Sequence, residues 1–197
     1  MKILHISDTH GKHRELGALP AADVLVHSGD FTLDGKDSEA LDFIEWLCDL
    51  PYENKIFIAG NHDMCMYDAS IEGLPDNVHY LADTGVVVGN VFFYGIPLFY
   101  GLVNGKMQEI EHCANIPDRV DVLITHRPPL GLLDGDKHGW GSTSILSLIN
   151  DIHPRLHLFG HAHNGYGTKK WKDTIFSNAS LVDNHYNVVN TPQLMAL

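Results

Sequence analysis

Cysteine is scarce in this chain. Only Cys48, Cys65 and Cys113 occur in 197 residues, an odd number, far apart and in no CxxC pair. That excludes a disulfide framework and argues against a closed thiolate zinc site. Long apolar runs are missing too. Nothing approaches the roughly 20 residues of a membrane span, and the apolar start, Met1 to Ile6, is cut off at Asp8, too short for a secretory signal. The expectation is a cytoplasmic protein with no membrane anchor. Positive charge is in short supply, with 13 Lys and Arg against 25 Asp and Glu for a formal net charge of −12. A long nucleic acid needs a basic track, so it is not an expected partner. Low-complexity segments, long charge runs and internal repeats are absent as well. A hydrophobic fraction of 44% over this length can build one core, and a single domain over 1–197 is expected.

Histidine, by contrast, is plentiful, with 14 copies. Many fall into five short clusters with Asp and Asn: Asp8 and His10, Asp30, Asn61 with His62, His126, and His161 with His163. Each follows an apolar run, respectively Ile3 to Ile6, Val24 to Val26, Ile56 to Ile58, Val122 to Ile124 and Leu156 to Phe159. Buried strands of an open sheet bring their carboxyl ends to one edge, where residues distant in sequence can converge. Carboxylate and amide oxygens with neutral imidazoles suit divalent manganese, iron, nickel or zinc. Two Asp, one Asn and four His exceed what one ion can use, and a carboxylate such as Asp30 can bridge two. Two ions roughly 3.5–4 Å apart activate a bridging water and neutralise phosphoryl oxygens, so phosphoester hydrolysis is the reaction this set serves best. Taken singly, Asp8-Thr9-His10 and Gly29-Asp30 read equally well as ordinary turns. Gly60 to Asp63 and Gly160 to His163 are more specific, the first because Gly and Asn permit a tight or positive-φ turn.

In order, Asp8-Thr9-His10, Gly29-Asp30, Gly60-Asn61-His62-Asp63, Thr125-His126 and Gly160-His161-Ala162-His163 resemble the calcineurin-like metallophosphoesterases. The likeness runs from residue 4 to about residue 185. Thr125 to Gly131, Pro154 to His161 and Asn164 to Gly167 are most similar to the small metallophosphoesterase-domain group known from vertebrate brain. The resemblance implies two divalent ions, with Asp8, His10 and His163 on one, Asn61, His126 and His161 on the other, and Asp30 bridging. It leaves His62 free as general acid, with Asp63 to orient or charge-stabilise its imidazole. It also implies hydrolysis of a small phosphodiester, including cyclic nucleotides. Arg127 departs from the pattern of that group and can either grip a phosphate or narrow the pocket. The alternative from a different class is a catalytically weak nucleotide-binding or interaction scaffold, which this fold also supports. Such scaffolds lose clusters that this chain retains.

His13, three residues past His10, and His138, in the Gly-rich Gly135 to Gly141, are further candidates for substrate contact. His5, His27, His79, His112, His153, His157 and His185 show no ligand spacing and read as surface or satisfied core rings, with His5 and His27 able to support the ligands from behind. Tyr67, Phe99, Tyr100 and Trp140 lie in loops expected over the site and read mainly as packing.

The order of elements reads as α/β. Strands are expected at about 2–7, 23–28 and 55–59, with a helix at 38–50 capped by Ser38 and stopped by Pro51. Runs at 78–81, 86–88 and 91–96 suggest a meander in a second sheet, with a turn at Gly89-Asn90. A helix at about 105–114, a strand at 121–125, a helix capped by Ser142 or Thr143, and a strand at 156–160 follow. Strands at 174–178 and 193–197 would finish the second sheet. The expected architecture is a four-layer α/β/β/α sandwich of two mixed sheets flanked by helices, which the resemblance implies as well.

Overall fold

The computed structural model describes residues 1–104, 106–110, 116–135 and 139–197. In chain order its elements are β1 (Lys2–Ile6), β2 (Val24–His27), α1 (Asp37–Asp49), β3 (Asn54–Phe57), β4 (Val78–Tyr80), β5 (Thr84–Val88), β6 (Val91–Ile96), β7 (Tyr100–Val103), β8 (Lys106–Glu109), β9 (Val122–Thr125), α2 (Thr143–Ile152), β10 (Leu156–Phe159), β11 (Gly167–Trp171), β12 (Thr174–Asn178) and β13 (Gln193–Ala196). One sheet runs β13-β1-β2-β3-β4, with β1 to β4 parallel and β13 antiparallel at the edge. The other runs β11-β12-β10-β9-β6-β5, parallel in the middle with antiparallel strands at both edges.

The sequence forms these layers because its central strands are apolar on both faces, as strands buried between two layers must be. Ile3, Val24, Val26 and Ile56 meet Phe93, Val122, Ile124 and Leu158 in the core between the sheets. Leu4, Ile6, Leu25 and Phe57, alternating with the first set, turn outward onto Phe43 and Leu47 of α1. On the far side Tyr94, Leu123, Phe159 and Phe176 receive Ile145 and Ile149 of α2. The result is the expected α/β/β/α sandwich. No described helix is long and apolar enough to cross a membrane.

The helix ends show local chemistry at work. Ser142 caps α2 by accepting from the Ile145 N–H at 3.3 Å, and His153 ends it in the left-handed region at φ 48 before Pro154. At α1 the expected Ser38 cap is replaced. Lys36 is the capping residue, and the Glu39 carboxylate reaches back to accept from the Asp34 and Lys36 N–H groups at 3.0 and 3.1 Å.

Three expectations are corrected. β4 and β13 belong to the first sheet, not to a meander or the end of the second, because β4 pairs in parallel with β3 and β13 pairs with β1. Short apolar runs carry no mark of which sheet they join. The helix expected at 105–114 is a strand where it is described: Lys106–Glu109 pairs with Tyr100–Val103 as a separate hairpin, while residues 105 and 111–115 lie outside the described residues. Its helix-forming residues lack an apolar stripe to dock, so pairing wins over propensity. The edge strand β11 was not anticipated, since Gly167 to Trp171 is mostly exposed and polar.

Candidate metal centre

β1, β2 and β3 of one sheet and β9 and β10 of the other all end at the same edge of the sandwich. The two sheets are fastened together there: the Ser7 N–H donates to Ala179 O at 3.0 Å, and the Leu181 N–H to Ser7 O at 3.0 Å. Just beyond, Asp8, His10, Asp30 and His161 all adopt positive φ, at 54, 40, 58 and 66 degrees. Four non-glycine residues in that region within one site mark backbone strain held by the surroundings. The Asp8 N–H donates to Gly29 O at 2.9 Å, and the His10 N–H to Asp30 O at 3.0 Å, so the two ligand loops brace each other.

The side chains converge. Asp8, His10 and His163 form one group whose nitrogen and oxygen donors lie within 4.8 Å of one another, and Asp30, His126 and His161 form another. His10, Asp30 and His62 form a third between them. His163 Nε2 stands 3.3 Å from Asp8 Oδ1, and His126 Nε2 3.1 Å from Asp30 Oδ2. His10 Nε2 is 3.7 Å from Asp30 Oδ2 and 4.0 Å from Asp8 Oδ1. Asn61 completes the rim, its Oδ1 buried without a hydrogen bond.

Hydrogen bonds behind the site fix which nitrogen faces inward. His126 Nδ1 donates to Ser28 O at 2.8 Å, His163 Nδ1 to Asp183 O at 3.0 Å, and His62 Nδ1 to Leu33 O at 2.8 Å. Each ring therefore turns Nε2 toward the site, as a ligand or proton carrier must. Both nitrogens of His10, Nε2 of His126 and Nε2 of His161 are buried and make no hydrogen bond. Such orphaned atoms cost roughly 1–3 kcal/mol apiece. Divalent ions would satisfy them together, so the residues present fit the metal pair that the chemistry calls for.

The charges agree. Burial works against ionising Asp8, yet His163, His126 and His10 hold it well below the usual carboxylate range. Asp30 is likewise lowered against its burial, chiefly by His126. Burial would lower His126, but Asp30 lifts it instead to about 9. Burial outweighs the carboxylates at His10, pushed down to about 4, and at His161, pushed down to about 3. Two buried carboxylates thus draw positive charge onto His126 and His163, while burial holds His10 and His161 neutral.

Asp63 does something other than expected. Its carboxylate accepts from the backbone N–H groups of Asp30, Thr32 and Gly60, each at 2.8 Å, from that of Phe31 at 3.3 Å, and from the Thr32 hydroxyl at 2.8 Å. Burial and the Asp30 charge push it up to about 7 while these donors pull the other way. With its oxygens so occupied it does not orient His62, which leans on Leu33 instead. Asp63 ties the Asp30 loop to the Asn61 loop.

The remaining candidates separate. His13 is buried under α1, with Nε2 bonded to Asp42 at 2.9 Å and its ring against Phe43 and Trp46. It does not line the site cavity, which corrects its reading as a substrate contact. Arg127 is paired with Glu109 of β8 and donates from Nε to Trp140 O at 2.9 Å, so its guanidinium braces the hairpin rather than facing a phosphate. His138 lies outside the described residues. Tyr100 and Trp140 line the cavity, whereas Tyr67 and Phe99 pack on each other at 5.4 Å. His5 bonds Ser28, whose carbonyl accepts from His126, and His27 bonds Thr9 between Asp8 and His10, so both support the ligands from behind. No local pattern marks Ser180, whose hydroxyl donates to Asp8 Oδ2 at 2.8 Å, or Tyr186, whose ring lies 4.7 Å from that of His10.

The glycines matter by what they leave out. Gly60 opens a tight turn, its carbonyl accepting from the Asp63 N–H at 3.0 Å, without positive φ; it is needed because a Cβ there would stand 2.6 Å from Asp30 N and 2.7 Å from His126 Cε1. Gly60→Ala is expected to cost about 1–3 kcal/mol, measured by urea unfolding, and to weaken manganese uptake. An unchanged midpoint would show that the two loops can spread at no cost.

An oxygen-and-imidazole donor set at the carboxyl edge of a two-sheet sandwich is the equipment of a metal-dependent phosphoester hydrolase. The chain belongs to the calcineurin-like phosphoesterase family, which it matches over residues 1–165. It is 37% identical to Metallophosphoesterase domain-containing protein 1 of Homo sapiens, over 98% of this chain and 69% of that protein. A UPF0046 protein of Caenorhabditis elegans is 34% identical over 91% of this chain and 69% of its own length. An uncharacterized protein of Methanocaldococcus jannaschii is 28% identical over 91% of this chain and 88% of its own.

Proposed function

We propose that this chain is a dinuclear phosphodiesterase acting on a small phosphodiester, with cyclic nucleotides in that class and manganese as the working ion. The observation that carries this reading is the pair of donor groups, Asp8–His10–His163 and Asp30–His126–His161, with unpartnered imidazole nitrogens aimed between them. In it Asp8, His10 and His163 hold one ion, Asn61, His126 and His161 the other, and Asp30 is shared. When bound, such ions supply Lewis-acid charge to the phosphoryl oxygens and lower the pKa of water.

His62 is placed to handle the proton. It lines the cavity, its Nδ1–H is committed to Leu33 O, and the free Nε2 can carry a proton to the departing oxygen. Its backbone N–H donates to Asp30 Oδ1 at 2.8 Å, so the acid and the shared carboxylate are set by one contact.

The cavity argues for diesters over monoesters. About 630 Å³ in volume, it is walled by Asn61, Asn164, Asn184, Tyr100, Trp140 and Tyr186, and no described lysine or arginine lines it. Beyond the proposed ions these walls add no positive charge for the second charge of a monoester dianion, whereas a diester monoanion carries organic arms that aromatic walls can bury. The test is a panel of bis-p-nitrophenyl phosphate, p-nitrophenyl phosphate and cyclic nucleotides with manganese, nickel and zinc. Manganese-stimulated hydrolysis of the diester above the monoester is expected. Tight nucleotide binding without turnover in metal-loaded protein would make the chain a regulator of the same fold instead.

A further inference from the structure

Tyr186 holds a backbone conformation that a bulky side chain rarely adopts, φ 60. The loop around it enforces this. Asp183 Oδ1 accepts from the N–H groups of His185 and Asn187 at 2.8 and 2.9 Å, and the Tyr186 N–H donates to Asp183 O at 3.0 Å. That same carbonyl accepts from Nδ1 of His163, so the loop is fastened to the site it overhangs. Strain that the surroundings over-determine in this way clusters at functional sites.

The outcome is a ring set against the site. The Tyr186 ring is 4.7 Å from that of His10 and 6.1 Å from those of His62 and His163, inclined to each at 63 to 76 degrees. Across the same cavity Trp140 stands edge-on to His161 at 5.1 Å. The cavity therefore has two aromatic walls, one on the His10 and His62 side and one on the His161 side. A phosphodiester has two arms, and the arm that departs lies beside the acid.

We propose that Tyr186 is a specificity-determining residue whose ring forms the wall for a planar aromatic leaving arm beside His62. The inference rests on the phosphodiesterase reading. It follows that a second aromatic arm gains affinity only while that wall is intact, since ring-on-ring contact adds to simple burial.

Diphenyl phosphate and methyl phenyl phosphate carry the same charge and differ by one ring. In calorimetric titrations of manganese-loaded protein the diphenyl ester should bind about tenfold tighter to the parent. In Tyr186→Asn, a residue suited to the left-handed backbone, the two should bind alike, with manganese content and Tm kept. Tyr186→Gly duplicates this test at the same φ. Tyr186→Phe should retain the tenfold preference. In the kinetics, Tyr186→Asn should raise KM for bis-p-nitrophenyl phosphate by a similar factor and lower kcat less. A preference that survives in both Asn and Gly variants, or is lost in Phe, overturns the inference and leaves the phosphodiesterase reading standing. A parent that takes up no manganese overturns that reading and this inference with it.

Discussion

Asp30→Asn is expected to lose metal and turnover together, while His62→Ala keeps the metal and loses turnover by about 10²–10⁴-fold. The contrast follows from where the oxygens of Asp30 point. Oδ1 already accepts from the His62 N–H, so an asparagine keeps its carbonyl there and must turn its NH₂ to the place of Oδ2. That place is 3.1 Å from His126 Nε2 and 3.7 Å from His10 Nε2. A donor set there satisfies the imidazoles and presents hydrogens where a cation should sit. Asp30 also shares one donor group with His126 and His161 and another with His10, a member of the remaining group, so its loss reaches the surroundings of both proposed ions.

His62→Ala removes only the ring. The backbone contact to Asp30 survives, and the ring is tied to Leu33 O rather than to another candidate ligand. The loss of rate should depend on the leaving group. A p-nitrophenolate departs without needing a proton, so the drop should be smaller for it than for an alkoxide. Elemental analysis of both variants beside rates on aryl and alkyl diesters checks this. A His62→Ala enzyme slowed equally for both leaving groups would not have lost a general acid, and Asp30→Asn holding two ions would remove Asp30 from its shared role.

Much of this site was legible in the sequence, and the reason is physical. Asp8, Asp30, Asn61, His126 and His161 each lie one to four residues beyond a buried parallel strand, and parallel strands of one sheet deliver their ends to the same edge. Once the apolar runs were recognised, convergence was nearly forced. The layers were legible for the same reason, since strands apolar on both faces require cover on both. What failed was information that is not local. Asp63 follows His62 directly, yet its carboxylate turns to backbone N–H groups some thirty residues away. His13 lies three residues from His10, but the short 3₁₀ turn His13–Glu15 swings it under α1. Arg127 adjoins His126 and is claimed by Glu109, in a strand read as helix from its composition. Tyr186 lies in a loop held by Asp183, and an Asp-Asn-His-Tyr-Asn stretch has no ligand spacing to distinguish it.

Acid should destabilise this protein from about pH 6.5 downward, well above the range in which ordinary carboxylates are protonated. His5, His27 and His157 are fully buried and bonded to hydroxyls: His5 to Ser177 and Ser28, His27 to Thr9, and His157 to Thr125. Burial pushes each of them down to about 3. In the unfolded chain the same rings take up protons below about 6.5. Between those limits each of these rings binds a proton in the unfolded state that it does not bind in the folded state, so their contribution to stability is complete above pH 6.5 and falls as the pH drops toward 3. At pH 5 the loss is roughly 2 kcal/mol for each ring and about 6 kcal/mol for the three. That is comparable to the whole stability of a domain, about 5–15 kcal/mol. His126, raised to about 9, adds no slope below 6.5, where it is protonated in both states; in the metal-free protein His10 and His161, pushed down to about 4 and about 3, add to the slope, and Asp63, pushed up to about 7, opposes it. Urea unfolding at pH 7.5, 6 and 5 measures the slope, to which these three rings contribute about 4 kcal/mol per pH unit near pH 5. His157→Phe should lower it by about 1.4 kcal/mol per pH unit, the share of one ring. A midpoint that stays level from pH 6.5 to 5 would show that these rings accept protons inside the fold, and that the core between strand and hydroxyl is wetter than its packing indicates.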